Sequence, residues 1–186
     1  GIYKSSGTDN KTWVLKFGGG EAPNGIDPNN FSQNNNIIFS ATTGTSGGNG
    51  GIVKSIDQGE TWTNVLSTSA ASGFIVDVEF VDDSLYFINS KGNFYVSNAS
   101  SINNNILRYN FTTAGFVDCV YSNTYKIFVA VSDNSGVYIS NNKGVSWIRY
   151  TIPGVTDYRK VSIIKNKIFV ATTTGLYVSS LWIEWK

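Results

Sequence analysis

Five stretches of this chain spell nearly the same word. They are Gly1-Ile2-Tyr3-Lys4-Ser5, Gly51-Ile52-Val53-Lys54-Ser55, Asn93-Phe94-Tyr95-Val96-Ser97, Gly136-Val137-Tyr138-Ile139-Ser140 and Gly175-Leu176-Tyr177-Val178-Ser179. With Gly92 opening the third copy, successive copies lie 50, 41, 44 and 39 residues apart, a period close to 43. A repeat of that size is one supersecondary unit, unable to bury its apolar face without a neighbour.

Each later copy follows a second apolar run: Ile37 to Ser40, Leu85 to Ile88, Ile127 to Ala130 and Ile168 to Ala171. Upstream stand Ile75 to Phe80, Phe116 to Tyr121 and Tyr158 to Ile163, rich in β-branched and aromatic residues and bounded by turn signals. Val78, Val120 and Val161 each precede the next run's first residue by seven. The repeat therefore reads strand, turn, strand, turn, strand, tight turn, strand. Four short strands in about 43 residues predict an all-β fold, a β-propeller of four-stranded antiparallel blades. A β-sandwich has evenly spaced strands but no four-strand repeat. The expected organisation is a single propeller domain or propeller segment over 1–186, with units starting near 1, 51, 92, 136 and 175.

Composition agrees. Asn, Ser and Thr number 21, 22 and 16 of 186 residues, and charged residues make up only 15%. Such a balance favours strands and turns over helices. The net charge of +1 gives no basic footprint for nucleic acid. The chain has no His, which removes the commonest general base and metal ligand, and its lone Cys119 cannot form an intrachain disulfide or a thiolate cluster. No cofactor and no metal site is expected. No apolar run reaches the roughly 18 residues of a bilayer span, so no membrane insertion is expected. A chain without Met that starts at Gly1 reads as a processed or excised stretch with no signal peptide.

Tight turns follow the third strands. Ser55-Ile56-Asp57-Gln58-Gly59-Glu60-Thr61-Trp62 is the clearest, and Ser140-Asn141-Asn142-Lys143-Gly144-Val145-Ser146-Trp147 is its second copy. Ser-x-Asp-x-Gly-x-Thr-Trp resembles the Asp-box, or BNR repeat, of sialidases, sortilin-type receptor domains, xyloglucan-cleaving glycosidases and photosystem II assembly factors. The structural residues this implies are Ser55, Asp57, Gly59, Thr61 and Trp62, then Ser140, Asn142, Gly144, Ser146 and Trp147. An Asp or Asn oxygen accepts backbone N–H groups, and Gly takes positive φ without steric cost. The Trp offers a large face for packing. Asp9 to Trp13 reads as an altered copy, whereas the turns after Ser97 and Ser179 have lost the pattern. The resemblance implies a fold, and activity has to be argued from sites.

The resemblance implies no catalytic residue here. Sialidases of this fold hold a carboxylate with three arginines. Arg108 and Arg149 fall in or near fourth strands, and Arg159 stands alone on a first strand. The glycosidase route needs two carboxylates at ~5 to 10 Å. Asp77, Glu79, Asp118 and Asp157 are the first-strand candidates, against the simpler reading that they hydrate a channel. Asp82-Asp83 reads as turn chemistry. Gly47 to Gly51 lacks the Lys of a phosphate loop and reads as a hairpin tip. Cys119 has no base to activate it and reads as a small buried residue.

Sequons at Asn10, Asn30, Asn98 and Asn110 are N-glycosylation candidates if the chain is exported. Together with the Asn, Ser and Thr content they suggest an extracellular or cell-surface setting. Phe94, Tyr95, Tyr138 and Tyr177 recur regularly and read as inter-blade packing. Three functional readings follow: a non-enzymatic recognition or scaffold propeller binding protein or glycan through one face; a fragment of an Asp-box glycoside hydrolase; or a self-assembling structural subunit of an appendage or filament, joined through open blade edges. The ends sharpen the third. Ile2 to Phe17 supplies only strands three and four, and the last unit supplies strands one to three plus Trp182 to Trp185. The termini duplicate one another instead of completing a blade, so the chain is expected to be an arc of a larger propeller, a small ring with a separate hairpin, or an open arc.

Overall fold

The structure, a computed structural model, describes residues 1–5, 12–17, 26–34, 36–44, 50–68, 73–111 and 115–180. It is all-β, with no helix among the described residues, and every pairing that joins neighbouring strands within a sheet is antiparallel. A hairpin opens the chain: β1 (Ile2–Ser5) and β2 (Trp13–Phe17). Three four-stranded blades follow. Blade one is β3 (Ile26–Asn34), β4 (Ile37–Gly44), β5 (Gly51–Ser55) and β6 (Thr63–Ser67). Blade two is β7 (Ile75–Val81), β8 (Ser84–Asn89), β9 (Asn93–Asn98) and β10 (Ser101–Asn110). Blade three is β11 (Phe116–Ser122), β12 (Ile127–Ser132), β13 (Gly136–Ser140) and β14 (Ile148–Tyr150). The final sheet has β15 (Tyr158–Ile164), β16 (Lys167–Thr172) and β17 (Leu176–Ser180). In each blade the strands pair in chain order, the meander of a β-propeller blade.

Two compact units emerge. Gly1–Phe87 with Ser97–Asn105 forms one, and Ile88–Val96 with Ile106–Lys186 forms the other. In the first, Phe39 of β4 meets Phe80 of β7 edge-on, with ring centroids 5.2 Å apart. In the second, Val129, Val131 and Val137 of blade three pack with Val161, Ile168 and Val170 of the final sheet. These buried β-branched side chains supply the hydrophobic drive for sheet stacking.

The recurring glycine of the third strand has a steric origin. A Cβ on Gly51 would stand 1.8 Å from the Leu66 carbonyl oxygen of β6, and one on Gly136 would stand 2.4 Å from that of Tyr150. The fourth strand passes so close that only a bare Cα fits.

Two details differ from the sequence reading. The Asn-rich stretch before Asn36 holds a strand, β3, although it contains Pro28 and Asn30. Its register shifts between those two residues, and such an irregularity is where a strand tolerates proline. The runs Ile127 to Ala130 and Ile168 to Ala171 match in letters but not in position. Ser140 pairs with Phe128, whereas Ser179 pairs with Ile168, so the two copies are offset by one residue. The turn between the second and third strands differs in length: Gly136 follows Ala130 by six residues, whereas Gly175 follows Ala171 by four.

Candidate functional site

The hairpins at Ser55–Trp62 and Ser140–Trp147 share one hydrogen-bond plan. Ser55 Oγ accepts the Gly59 N–H at 2.8 Å and donates to Asp57 Oδ1 at 2.8 Å. Asp57 Oδ1 accepts the Thr61 N–H at 2.9 Å, and the Thr61 hydroxyl donates to Oδ2 at 2.6 Å. Trp62 Nε1 donates to the Gly59 carbonyl at 3.2 Å. In the second hairpin Ser140 Oγ accepts Gly144 N–H at 2.9 Å, Asn142 Oδ1 accepts Ser146 N–H at 3.0 Å, and Trp147 Nε1 reaches the Gly144 carbonyl at 3.2 Å. One bond runs backwards: Asn142 Nδ2 donates to Ser146 Oγ at 2.8 Å. Gln58 and Gly59, like Lys143 and Gly144, adopt positive φ.

The hydroxyl and N–H of Thr61, then the Ser55 hydroxyl, pull the Asp57 carboxyl down from 3.8 to about 2. Beside it Lys16 and then Lys4 lower the Glu60 carboxyl. Lys4 lies 2.5 Å and Lys16 2.6 Å from its oxygens, tying both strands of the opening hairpin to this turn.

The first-strand carboxylates each meet a partner within the fold. Asp118 is buried. Its Oδ2 accepts the Val161 N–H at 2.8 Å and its Oδ1 meets Lys160 Nζ at 2.8 Å, so it fastens β11 to β15. Ser32 does the same in blade one: its Oγ accepts the Phe80 N–H at 2.7 Å and donates to Glu79 at 3.3 Å. Asp77 is buried and its Oδ1 accepts the N–H of Val78. Asp157 pairs with Arg159 at 2.5 Å. Arg149 donates to the Ser135 carbonyl at 2.6 Å, and Arg108 is exposed on β10. The three arginines thus lie on three different strands, two with separate partners. Asp82 takes a φ of 54° in its turn. Cys119 is buried. No cluster of three potential metal ligands occurs among the described residues.

Of the sequons, Asn30 is half-buried inside β3 opposite Ala41. Asn98 is exposed, its Oδ1 accepting the Ser100 N–H and hydroxyl at 2.8 and 2.6 Å. Asn110 is exposed at the end of β10 and donates from Nδ2 to Asn93 at 2.7 Å. Asn10 lies outside the described residues, as do the hairpin tip at 45–49 and the segment at 181–186.

A polar cleft of about 360 Å³ opens in the first unit between β5, β6 and the start of β10. Lys54, Asn64, Ser100, Ser101 and Asn103 present an ammonium, two amides and two hydroxyls to it, over a floor of Val65, Ala99 and Ile102. The Lys54 ammonium sits 5.6 Å above the Phe39 ring, which anchors its stem. The sequence reading passed over these residues. Their only signal was the frequency of Asn and Ser, and they meet only through the packing of separate strands.

The fold has counterparts among solved structures. YCF48 bound to a D1 peptide matches with a TM-score of 0.70 and 14% identity, over 95% of this chain and 56% of that one. A GH74 enzyme of Niastella koreensis matches with a TM-score of 0.69 and 15% identity, over 86% of this chain and 29% of that one. The computationally designed Ika4 protein matches at 0.61 and 11% identity, over 90% and 97%. At these identities the likeness concerns the fold. The chain spans about half the length of the YCF48 structures it matches. No family model matches the chain, and neither does any curated protein.

Proposed function

We propose that this chain is a non-enzymatic recognition propeller of the Asp-box superfamily, extracellular or surface-associated, that binds a protein partner at the Lys54–Asn103 cleft. The observation that carries this is the fate of Asp118. It is buried, and both oxygens are engaged by the neighbouring strand, so it braces β11 against β15. The cleft has the opposite character. Its amides suit the peptide groups of an extended segment, and Lys54 suits a carboxylate on it. The solved complex of the structurally similar YCF48 with a D1 peptide supports a peptide-binding use of the fold.

Selection from a displayed random peptide library tests the reading. Enriched peptides are expected to carry an acidic residue. Binding is expected to weaken about tenfold, ~1.4 kcal/mol, in Lys54→Ala and in Asn103→Ala. Hydrolysis of xyloglucan or aryl glycosides that disappears in Asp118→Asn, with the fold retained by circular dichroism, would establish the glycosidase reading instead.

A further inference from the structure

Within the second compact unit, charge is divided between the two ends of the strands. Backbone hydrogen bonds fix which turns share an end. The N–H of Asp133, after β12, donates to the Gly115 carbonyl just before β11 at 3.2 Å, and the Asp133 carbonyl accepts the Tyr158 N–H at the start of β15 at 3.1 Å. The carbonyl of Asp157, before β15, accepts the N–H of Thr173, after β16, at 3.2 Å. The first strands therefore start together at one end. Pairing puts the remaining turns at the other: Ser122 pairs with Ile127, Ser140 with Phe128 and Ile164 with Lys167.

That other end is basic. Its turns hold Lys126, Lys143, Lys165 and Lys167, all exposed. Between residues 106 and 180 the acids are Asp118, Asp133 and Asp157. Asp118 is buried with Lys160 on it, and Asp133 and Asp157 belong to the opposite end. The four lysines thus form a set of one sign. Turns at strand ends face solvent, whatever packs on the flanks of a blade.

Two further observations say what these lysines serve. Lys126, Lys143 and Lys165 adopt φ of 56°, 56° and 54°. That left-handed backbone strains lysine more than Gly or Asn, so the geometry of the turns does not account for lysine at these places, whereas a use for its charge does. Each turn also pairs its lysine with an amide. Asn123 Oδ1 accepts from Lys126 Nζ at 3.2 Å, and Asn141 and Asn166 are exposed in the turns of Lys143 and Lys165. Tyr125, beside Lys126, is 40% exposed. Ammonium groups answer anions, amides donate to and accept from hydroxyls, and the tyrosine offers an apolar face with a polar tip.

We propose that this end of the second unit binds an anionic polysaccharide, a chain of hydroxyl-bearing rings with carboxylate or sulfate groups. The mixture of side chains decides the class. An anionic lipid surface is held by lysines set beside a broad apolar face. Here the lysines alternate with amides instead. An acidic peptide is taken up in a groove or along a strand edge. Here the lysines stand on the tips of separate hairpins. One basic turn per hairpin presents like charges at intervals, which matches a polymer that repeats its own anion. The site uses other residues than the Lys54–Asn103 cleft and stands independently of that reading.

Biolayer interferometry on immobilised polygalacturonate, heparin and neutral dextran tests it, with poly-glutamate, single-stranded DNA and phosphatidylserine vesicles run beside them. Binding to polygalacturonate, heparin or both is expected, the stronger naming the anionic group, and dextran is expected to stay bare. Lys126→Gln, Lys165→Gln and Lys167→Gln combined are expected to weaken binding about tenfold, since exposed ion pairs each contribute modestly. All three side chains are exposed, so the fold is expected to persist by circular dichroism. Arg149→Gln is expected to change nothing, because its guanidinium reaches the Ser135 carbonyl at the opposite end. Asn123→Ala with Asn166→Ala is expected to weaken polysaccharide binding about threefold through lost hydrogen bonds. Failure of both acidic polysaccharides to bind overturns the proposal, as does parent-like binding by the combined lysine variant. So does parent-like binding by the asparagine variant, or equally tight binding of poly-glutamate, DNA or vesicles, since charge alone would then suffice.

Discussion

The two eight-residue hairpins fold alike but are held by different surroundings. At Ser55–Trp62 the turn is ionic and open. Asp57 is a carboxylate gripped by Thr61 and Ser55, and Glu60 collects Lys16 and Lys4. At Ser140–Trp147 the turn has no carboxylate and lies against an aromatic cluster. Asn142 replaces Asp57, and Gly144 sits on the Phe94 ring. A shared local backbone therefore need not share its source of stability. One copy depends on protonation and salt, the other on packing.

The largest expected break in that comparison comes from the two glycines. Gly144 has φ +80°, and a Cβ there would stand 2.2 Å from Phe94 Cε1. Gly59 has φ +85°, but its nearest neighbour is Trp62 Cζ2 at 3.7 Å. Gly59→Ala is expected to cost ~1 kcal/mol for the left-handed backbone alone. Gly144→Ala adds an overpacking cost of roughly 1–3 kcal/mol. Chemical denaturation of the two variants measures the gap, and equal losses would remove packing as the difference between the hairpins.

Acid gives the next contrast. The Asp57 pKa is lowered to about 2 in the folded chain from an ordinary 3.8. Its contribution is complete above the ordinary value and is lost as pH falls through about 2. Asn142 has no such dependence. Asp57→Asn is expected to flatten the loss of stability in that window, and Asn142→Asp to steepen it. Thermal melts taken stepwise through the window decide both.

Salt gives a smaller one. Glu60→Gln is expected to remove the salt sensitivity of hydrogen-exchange protection in β1 and β2 while leaving blade three unchanged, since exposed ion pairs are screened. Smallest is the residue before each glycine. Gln58 and Lys143 sit at φ 59° and 56°. Asn tolerates that region better, so Lys143→Asn is expected to gain ~0.5 kcal/mol or less.

The blade plan was legible because period and alternation are backbone demands, and backbone demands leave marks in single residues. The Gly-aromatic strand and the Ser-x-Asp-x-Gly turn are such marks. Strand β3 was not legible, since a register shift accommodates the Pro and Asn that argue against a strand. The one-residue offset between blade three and the final sheet was hidden for a related reason: turn length changed while the letters did not. For the site, Asp118 stood in the sequence as one of four first-strand carboxylates, and only the packing of β11 on β15 distinguishes a brace from an acid. Lys54, Asn64 and Asn103 carry no motif, because a cleft built across several strands has no spacing to read.

The bare Cα of Gly51 and Gly136 has a consequence for how such a chain can change through duplication. A copied blade inherits a Leu66- or Tyr150-type carbonyl pressed against one backbone atom, so that codon has almost nowhere to drift while its neighbours wander. Gly175 is held by its backbone instead: nothing lies within 4 Å of where its Cβ would be, but its φ of +151° strains any other residue. The same letter thus stands on a contact in blades one and three and on a backbone angle in the final sheet.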